Sequence, residues 1–555
     1  MVIYFESVCI YGGGFLQLKK LLLFLSIIMM FVLAACSNDG ADDASGNVEV
    51  DEESLNETGF PILNETETFE FFAGQAPATN EDWNEALLFE TYEEMTNMEI
   101  NWEMVPHSSL VEKRNLALGS GSLPDVFHSA SMPIADIIRY GEQGTFVPLN
   151  DLIEKYAPNF KQLLEEYPEI EKSLTMPDGN IYSFPQMADP EFIAYRMGPK
   201  PYVNGEWLEA LGMDIPETTD DYYEYLKAVK EEDPNGNGEA DEVPFGGVGI
   251  GTLYDFLRGS FGVANMGSSN NNLDLDPDTG DLRFYPISDG YRQLLEYMNK
   301  LYSEELIAQN IFSIESDQWH ANTMAGIYGS LSWYTPVDIF GEEAGGAFTP
   351  IPALEGPEGH KQFTTLYDAT VNPGAFVITS ANENPAATVR WIDHFYGEEG
   401  INLFFMGVEG ETYEVNEDGE KVYMDHITNS PEGLTFEQEI AKYLTFPGGG
   451  FPSVITQELF PGAASTEQNL EAAEVLKPNL VEEPWTAFKH TNEENNQLQG
   501  FGVDIEKYVT EMRDKFVAGE ESFDNWDKYV ETIESMGLDD YMEIKNAAYE
   551  RYLGN

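Results

Sequence analysis

Hydrophobic positions change their spacing several times along the chain. Thr68–Gln75, "TFEFFAGQ", reads as a strand with a Gly/Pro-containing exit, while Glu81–Met95 places Trp83, Leu87, Leu88 and Tyr92 at helical spacing. Glu99–Val105 alternates as a second strand, Leu110–Leu118 returns to helical spacing, and "LPDVFHS" (Leu123–Ser129) gives a third strand before a helix around Ile134–Tyr140. Strands alternating with helices predict an α/β class with parallel sheet. Further on, Asp178-Gly179 marks a turn before the extended piece Ile181–Phe184. Glu206–Leu211 is a short helix ended at Gly212, and Thr218 or Thr219 caps a helix with Tyr222, Leu226 and Val229 on one face. Gly374–Glu414 reads strand, loop, long helix, then a Gly-rich turn. The tail Ile505–Leu553 is helical, with Phe516, Trp526, Tyr529 and Ile533 as core candidates.

At 555 residues the chain is too long for one core and long enough for two lobes. Its charge is extreme: 99 acidic against 28 basic residues, a net −71. Such a field repels nucleic acid and anionic surfaces. Because the acids are spread along the whole chain, they fit a surface adapted to a saline or alkaline exterior better than a trap for cationic substrates.

The N-terminus sets the compartment. Lys19 and Lys20 precede the apolar run Leu21–Ala35, which is shorter than the ~20 residues a membrane-spanning helix needs. It ends in Leu33-Ala34-Ala35-Cys36, which resembles the lipobox of bacterial lipoproteins. The resemblance implies that residues 1–35 are a signal peptide and that Cys36 is lipidated. Cys9 is the other cysteine, so the mature chain is expected to hold no disulfide. The polar, acidic stretch 36–60 reads as a disordered tether.

"DPNGNGEADE" (Asp233–Glu242) follows the helix Thr219–Glu231 and matches the oxygen positions of an EF-hand loop: Asp233, Asn235, Asn237, Glu239 and Asp241, with Gly238 at position 6. Position 12 is Pro244, so Glu242 is left to close the shell early. The alternatives are a structural Ca²⁺ site and a hydrated Asn-Gly turn. Protease, esterase and P-loop signatures are missing, and the seven histidines show no metal-ligand spacing.

Taken in order, "LALGSGSLPDVF", "GTFVPLNDLIEKYAPN", "DGNIYSFPQ", "VNGEWLEALGMDIPETTDDYYEYLKAVKEEDPNGNGEADEVP" and "WIDHFYGEEG…GVEGETYEVNEDG" resemble the extracellular solute-binding proteins (family 1) of bacterial ABC importers. Within that family they are most similar to the lipoproteins related to alginate-oligosaccharide binders. The resemblance implies a two-lobed, periplasmic-binding-protein-like α/β fold with interrupted lobes and several hinge crossings. Lobe 1 is expected from 61–188 and 370–445, lobe 2 from 189–369 and 446–555, with crossings near Pro185–Ala194, Thr364–Pro373 and Phe446–Phe451. It further implies a monomeric, non-enzymatic protein, lipid-anchored on the outer face of the cell membrane. That protein captures an oligosaccharide and hands it to the permease subunits of an ABC importer, with calcium in the Asp233–Glu242 loop. A peptide or other non-sugar solute is the alternative ligand, and a secreted glycosidase the remaining alternative function.

Ligands of open α/β sheets lie at the C-terminal ends of parallel strands. That rule selects Gln75, His128 and Ser129, and Tyr182 lies just before the first expected crossing. Trp333 and Tyr334, in "GSLSWYTP", resemble a cleft-facing stretch of the sugar-binding relatives. Glu409, in "GVEGETY", is a candidate for hydroxyl binding.

Overall fold

The computed structural model describes residues 53–80 and 82–554; the proposed signal peptide and Cys36 lie outside them. In chain order the strands are β1 (Glu67–Gln75), β2 (Met98–Pro106), β3 (Val126–His128), β4 (Phe184–Ala188), β5 (Lys200–Asn204), β6 (Val243–Phe245), β7 (Leu273–Leu275), β8 (Leu282–Phe284), β9 (Tyr328–Trp333), β10 (Phe348–Pro350), β11 (Thr370–Ile378), β12 (Tyr413–Val415), β13 (Lys421–Tyr423) and β14 (Val454–Ile455). Two sheets organise two lobes. The first has the order β14-β4-β11-β3-β1-β2 and the second β10-β5-β9-β6.

In the first sheet β1 runs parallel to β2 and β3. Alternation puts Phe69 and Phe71 of β1 opposite Ile100 and Trp102 of β2, all four buried. The sheet is mixed, however, because β11 runs antiparallel to both β3 and β4. A strand that enters a lobe from the hinge points away from it, whereas β1 and β3 point toward it. The second sheet is mixed for the same reason, with β5 antiparallel to β9 and β10 while β6 is parallel to β9.

Helix signals in the sequence act locally. Thr218 and Asp221 form a reciprocal capping box on Thr219–Glu231, which buries Tyr222, Tyr225, Leu226 and Val229. The expected helix from Glu81 starts at Leu87 instead: Asp82 accepts the Asn84 N–H and closes a 3₁₀ turn over Trp83–Glu85, leaving Ala86 extended. The long helix expected after β11 is likewise divided, into Pro385–Asp393, a 3₁₀ turn and Glu398–Phe405, with Gly397 extended against Asn159. The C-terminal helices Asn492–Ala518, Trp526–Ser535 and Leu538–Leu553 pack into the core of lobe 2, burying Phe516, Trp526, Tyr529 and Ile533.

Two boundaries differ from expectation. Residues 53–60 of the expected tether are fixed to lobe 1, where the Arg390 guanidinium donates to the carbonyls of Asn56 and Gly59 (2.7 Å for the latter). Phe60 packs edge-on against Tyr92 and His394 there. The third crossing falls after Ile455 rather than at Phe446–Phe451, because β14 still pairs with β4 in the first sheet.

The three crossings therefore leave lobe 1 side by side. The Ala188 N–H donates to the Ala369 carbonyl (2.8 Å) and the Asp189 N–H to the Ile455 carbonyl (2.9 Å). The first two crossings stay paired into lobe 2 through Gly198 N–H to Thr365 carbonyl (2.9 Å) and Tyr367 N–H to Arg196 carbonyl (3.0 Å). Adjacent, hydrogen-bonded crossings bend together, which restricts lobe motion to one direction of closure.

Candidate ligand cleft

On lobe 1, the cleft edge is built from the loops that follow β1 and β3, the start of β11, and the segment Phe446–Phe451 before β14. Backbone conformation there is unusual. Ser129 and Ser131 have φ of 49° and 47°, and Gly448, Gly449 and Gly450 are all left-handed, at 93°, 74° and 80°. Only glycine tolerates three such residues in succession without steric cost. Gly448 also packs so close to Ala76 that an added Cβ would lie 2.2 Å from the alanine methyl. The loop is pinned by the Gly450 N–H, which donates to Gln186 Oε1 (3.2 Å). Strained backbone concentrated at one rim is characteristic of functional sites.

Facing it, lobe 2 and the crossings present tyrosines. Tyr334, just beyond β9, is 47% exposed, and Tyr367, on the second crossing, is 44% exposed. Tyr195, in the short helix of the first crossing, packs edge-on against Phe460 of the third at 5.5 Å. Tyr334 neighbours both Tyr195 and Tyr367, and the Asp255 carboxylate lies beside Tyr334 and Tyr367. Burial, then the neighbouring Tyr334, pushes Tyr195 up to about 12. Burial and Asp255 raise Tyr334 and Tyr367.

Between the Phe446–Phe451 segment and the first and third crossings lies a cavity of about 150 Å³. Tyr195, Phe436, Phe446, Phe451 and Phe460 line it together with the polar side chains of Gln186 and Glu437. Apolar walls with a few convergent polar groups are the usual make-up of a small-molecule site.

The residues selected from sequence divide. Tyr334 stands in the cleft, its carbonyl held by the Tyr202 hydroxyl at 3.1 Å. Trp333 is half-buried, backed by Trp319 at 4.7 Å and touching Tyr334 at 5.9 Å, so it joins the core to the cleft surface. Gln75 ends β1 at the rim, donating to the Asn80 carbonyl (3.2 Å), and Ser129 contributes its strained backbone while its side chain is buried.

Three others sit elsewhere. His128 is 1% exposed inside a box of Trp83, Phe89, Trp102, Phe376 and Trp391, where burial lowers it to about 3. Its ring belongs to the core because β3 turns that face inward. Tyr182 is buried against Gly141, its hydroxyl donating to Asp178 (2.6 Å). Glu409 is exposed in the turn before the β12–β13 hairpin, which is closed by Gly410 N–H to Tyr413 carbonyl (2.8 Å). Sequence reasoning missed Tyr195 and Tyr367. Their signal was available: both are aromatic residues in the expected crossings or one residue beyond.

In the Asp233–Glu242 loop, Asp233 accepts the N–H groups of Asn237 (3.1 Å) and Gly238 (2.9 Å), and Gly236 and Gly238 are left-handed. Asn235 and Asn237 turn their amide NH₂ groups to Asp241, both at 3.1 Å. Among the described residues no three His, Cys, Asp or Glu side chains are grouped as a metal site. The donor chemistry nevertheless suits a hard cation. All six side chains offer oxygen, and Glu242 Oε1 is buried without a hydrogen-bond partner.

Two lobes joined by three side-by-side crossings around a polar-aromatic cleft define a hinged binding protein. The sequence pattern of the family described as bacterial extracellular solute-binding protein matches residues 74–401, more than half the chain, and the chain belongs to that family. A curated relative is the fructooligosaccharide ABC transporter substrate-binding protein FusA of Streptococcus pneumoniae serotype 4. It is 28% identical over 542 residues, covering 94% of this chain and 96% of the relative. A solved structure of S. pneumoniae FusA, an EF-hand mutant in complex with fructo-nystose, is 27% identical with a TM-score of 0.67, covering 88% of this chain and 100% of that one. An HMO-binding, ABC-transporter-associated solute-binding protein from Bifidobacterium longum infantis shares the fold at 21% identity, with a TM-score of 0.74 and coverage of 88% and 99%. Membership makes the chain a binding protein and not an enzyme. Among the described residues no helix is long and apolar enough to cross a membrane.

Proposed function

We propose that this protein captures an oligosaccharide outside the cell and delivers it to the permease of an ABC importer. The observation that carries this reading is the group of tyrosines at the crossings: Tyr334 and Tyr367 are exposed there, and Tyr195 lines a cavity with Gln186, Gly448 and Gly449. Aromatic faces pack on the C–H faces of sugar rings, and phenol, amide and carboxylate groups bind the hydroxyls. The likeness to FusA over almost the whole of both chains supports the same ligand class. A thermal-shift screen against a glycan and peptide panel tests it. Stabilisation by an oligosaccharide, recovered intact, is expected, and stabilisation by peptides alone would overturn the assignment.

Two attachments complete the reading. Cys36, within the lipobox-like Leu33-Ala34-Ala35-Cys36, carries the membrane anchor, and the acidic segment after it spaces the lobes from the surface. The Asp233–Glu242 loop holds a structural Ca²⁺ through Asp233, Asn235, Asn237, Glu239, Asp241 and Glu242. The unpartnered Glu242 oxygen supports this, as does the FusA relative described as having an EF-hand. The ion would supply cross-linking of the loop between a lobe-2 helix and β6. The Asn235 and Asn237 amides rotate to present their oxygens.

A further inference from the structure

The cavity beside the first and third crossings has a closed floor. Gln186, Phe446, Phe451 and Ile455 form its inner side, and all four are buried. Phe405, fully buried, backs that wall: its ring lies 5.5 Å from both Phe446 and Phe451 and 6.2 Å from Phe460. The exposed lining is confined to Glu437, Gly448 and Pro461, so the space opens toward solvent there and ends against the lobe-1 core.

Its size and lining suit one ring. A volume of about 150 Å³ matches an apolar cavity that holds a single six-membered ring, and is too small for a drug-sized ligand. Four phenylalanines and Tyr195 supply flat apolar walls, on which the C–H faces of a sugar ring pack. Gln186 is the one buried polar side chain in the lining. Its Oε1 accepts the Gly450 N–H (3.2 Å), which leaves the amide NH₂ to donate to an occupant.

The cavity also adjoins the exposed tyrosines. Tyr195 lines it and neighbours Tyr334, which in turn neighbours Tyr367. A chain of sugar rings lying over Tyr367 and Tyr334 therefore reaches Tyr195 and the closed floor behind it. We propose that this cavity takes the terminal ring of the oligosaccharide, so that the protein recognises a chain end, with the Gln186 amide donating to a hydroxyl of that ring. This rests on the oligosaccharide reading above and narrows it. A ring from the middle of a chain carries a glycosidic bond on each side, and the second would run into the wall backed by Phe405. A cyclic chain has no end to insert and is left with the exposed tyrosines alone.

The test is isothermal titration of the whole protein with linear and cyclic oligofructans and oligoglucans of equal ring number. In at least one series the linear form is expected to bind roughly tenfold or more tightly than the cyclic form, which forgoes both the aromatic walls and the Gln186 hydrogen bond. Gln186→Glu keeps an oxygen for the Gly450 N–H and removes the donor. It should weaken the linear chain by roughly tenfold and leave any binding of the cyclic chain unchanged, a split that general damage to the fold would not produce. A cyclic chain that binds as tightly as its linear counterpart to the wild-type protein would overturn the proposal, whatever the variant does. So would a Gln186→Glu protein with wild-type melting and undiminished preference for the linear chain. Binding of neither form in either series would overturn the oligosaccharide reading and this inference with it.

Discussion

Replacing Tyr334 with alanine should weaken ligand binding while sparing the fold, and the structure sets the size of the effect. A large aromatic side chain offers about 150–250 Å² of surface. With Tyr334 47% exposed, roughly half of that remains for a ligand to cover. At about 25 cal/mol per Å² the gain is about 2–3 kcal/mol, or roughly 30- to 140-fold in Kd. The folded state loses mainly the edge-on contact with Trp333 at 5.9 Å, worth about 1 kcal/mol. Trp333→Ala is the contrasting perturbation, since Trp333 also rests on Trp319 and truncation opens a hole beside the core. Calorimetry with the tightest glycan, paired with urea unfolding of the unliganded variants, separates the two effects. The expected outcome is a binding defect alone for Tyr334→Ala and a combined defect for Trp333→Ala. Wild-type affinity in Tyr334→Ala, or unfolding of that variant, would refute the placement of this ring in the cleft.

Calcium should raise the melting temperature of the purified protein and chelator should lower it, with Asp233→Ala abolishing the difference; an identical melt across a wide calcium range would reduce the loop to a turn. Burial lowers Lys200 from its ordinary 10.5 to about 7. The unfolded chain therefore binds the extra proton between those values, and stability should rise with pH across that window, by at most about 1.4 kcal/mol per unit. Lys200→Met should flatten that slope in urea titrations from neutral to mildly alkaline pH, and an unchanged slope would show that the ammonium is solvated. Cys36→Ala should release the protein into the medium or leave an uncleaved precursor, read by membrane fractionation and N-terminal sequencing; normal anchoring would exclude Cys36 as the lipidated residue.

Much of the architecture was legible because its causes are local. The period of two in β2, the Thr218–Asp221 capping box and the apolar face of Thr219–Glu231 are set by neighbours in sequence, and the structure keeps each of them. The sequence alone also carried the order of motifs that mark the family, the acidic surface, and the oxygen spacing of Asp233–Glu242.

The cleft was less legible, because it depends on which face of a strand end turns outward and on which distant segments meet. His128 and Ser129 are adjacent at the end of β3. The pleat buries one ring among tryptophans, and the backbone of the other borders the Gly448–Gly450 loop more than three hundred residues away. Tyr195 and Tyr367 become neighbours of Tyr334 only when the crossings pair across the hinge. Local periodicity fixes an element and its apolar face. Only long-range hydrogen bonding between the crossings decides which aromatic residues remain uncovered, and those uncovered rings form the candidate ligand surface.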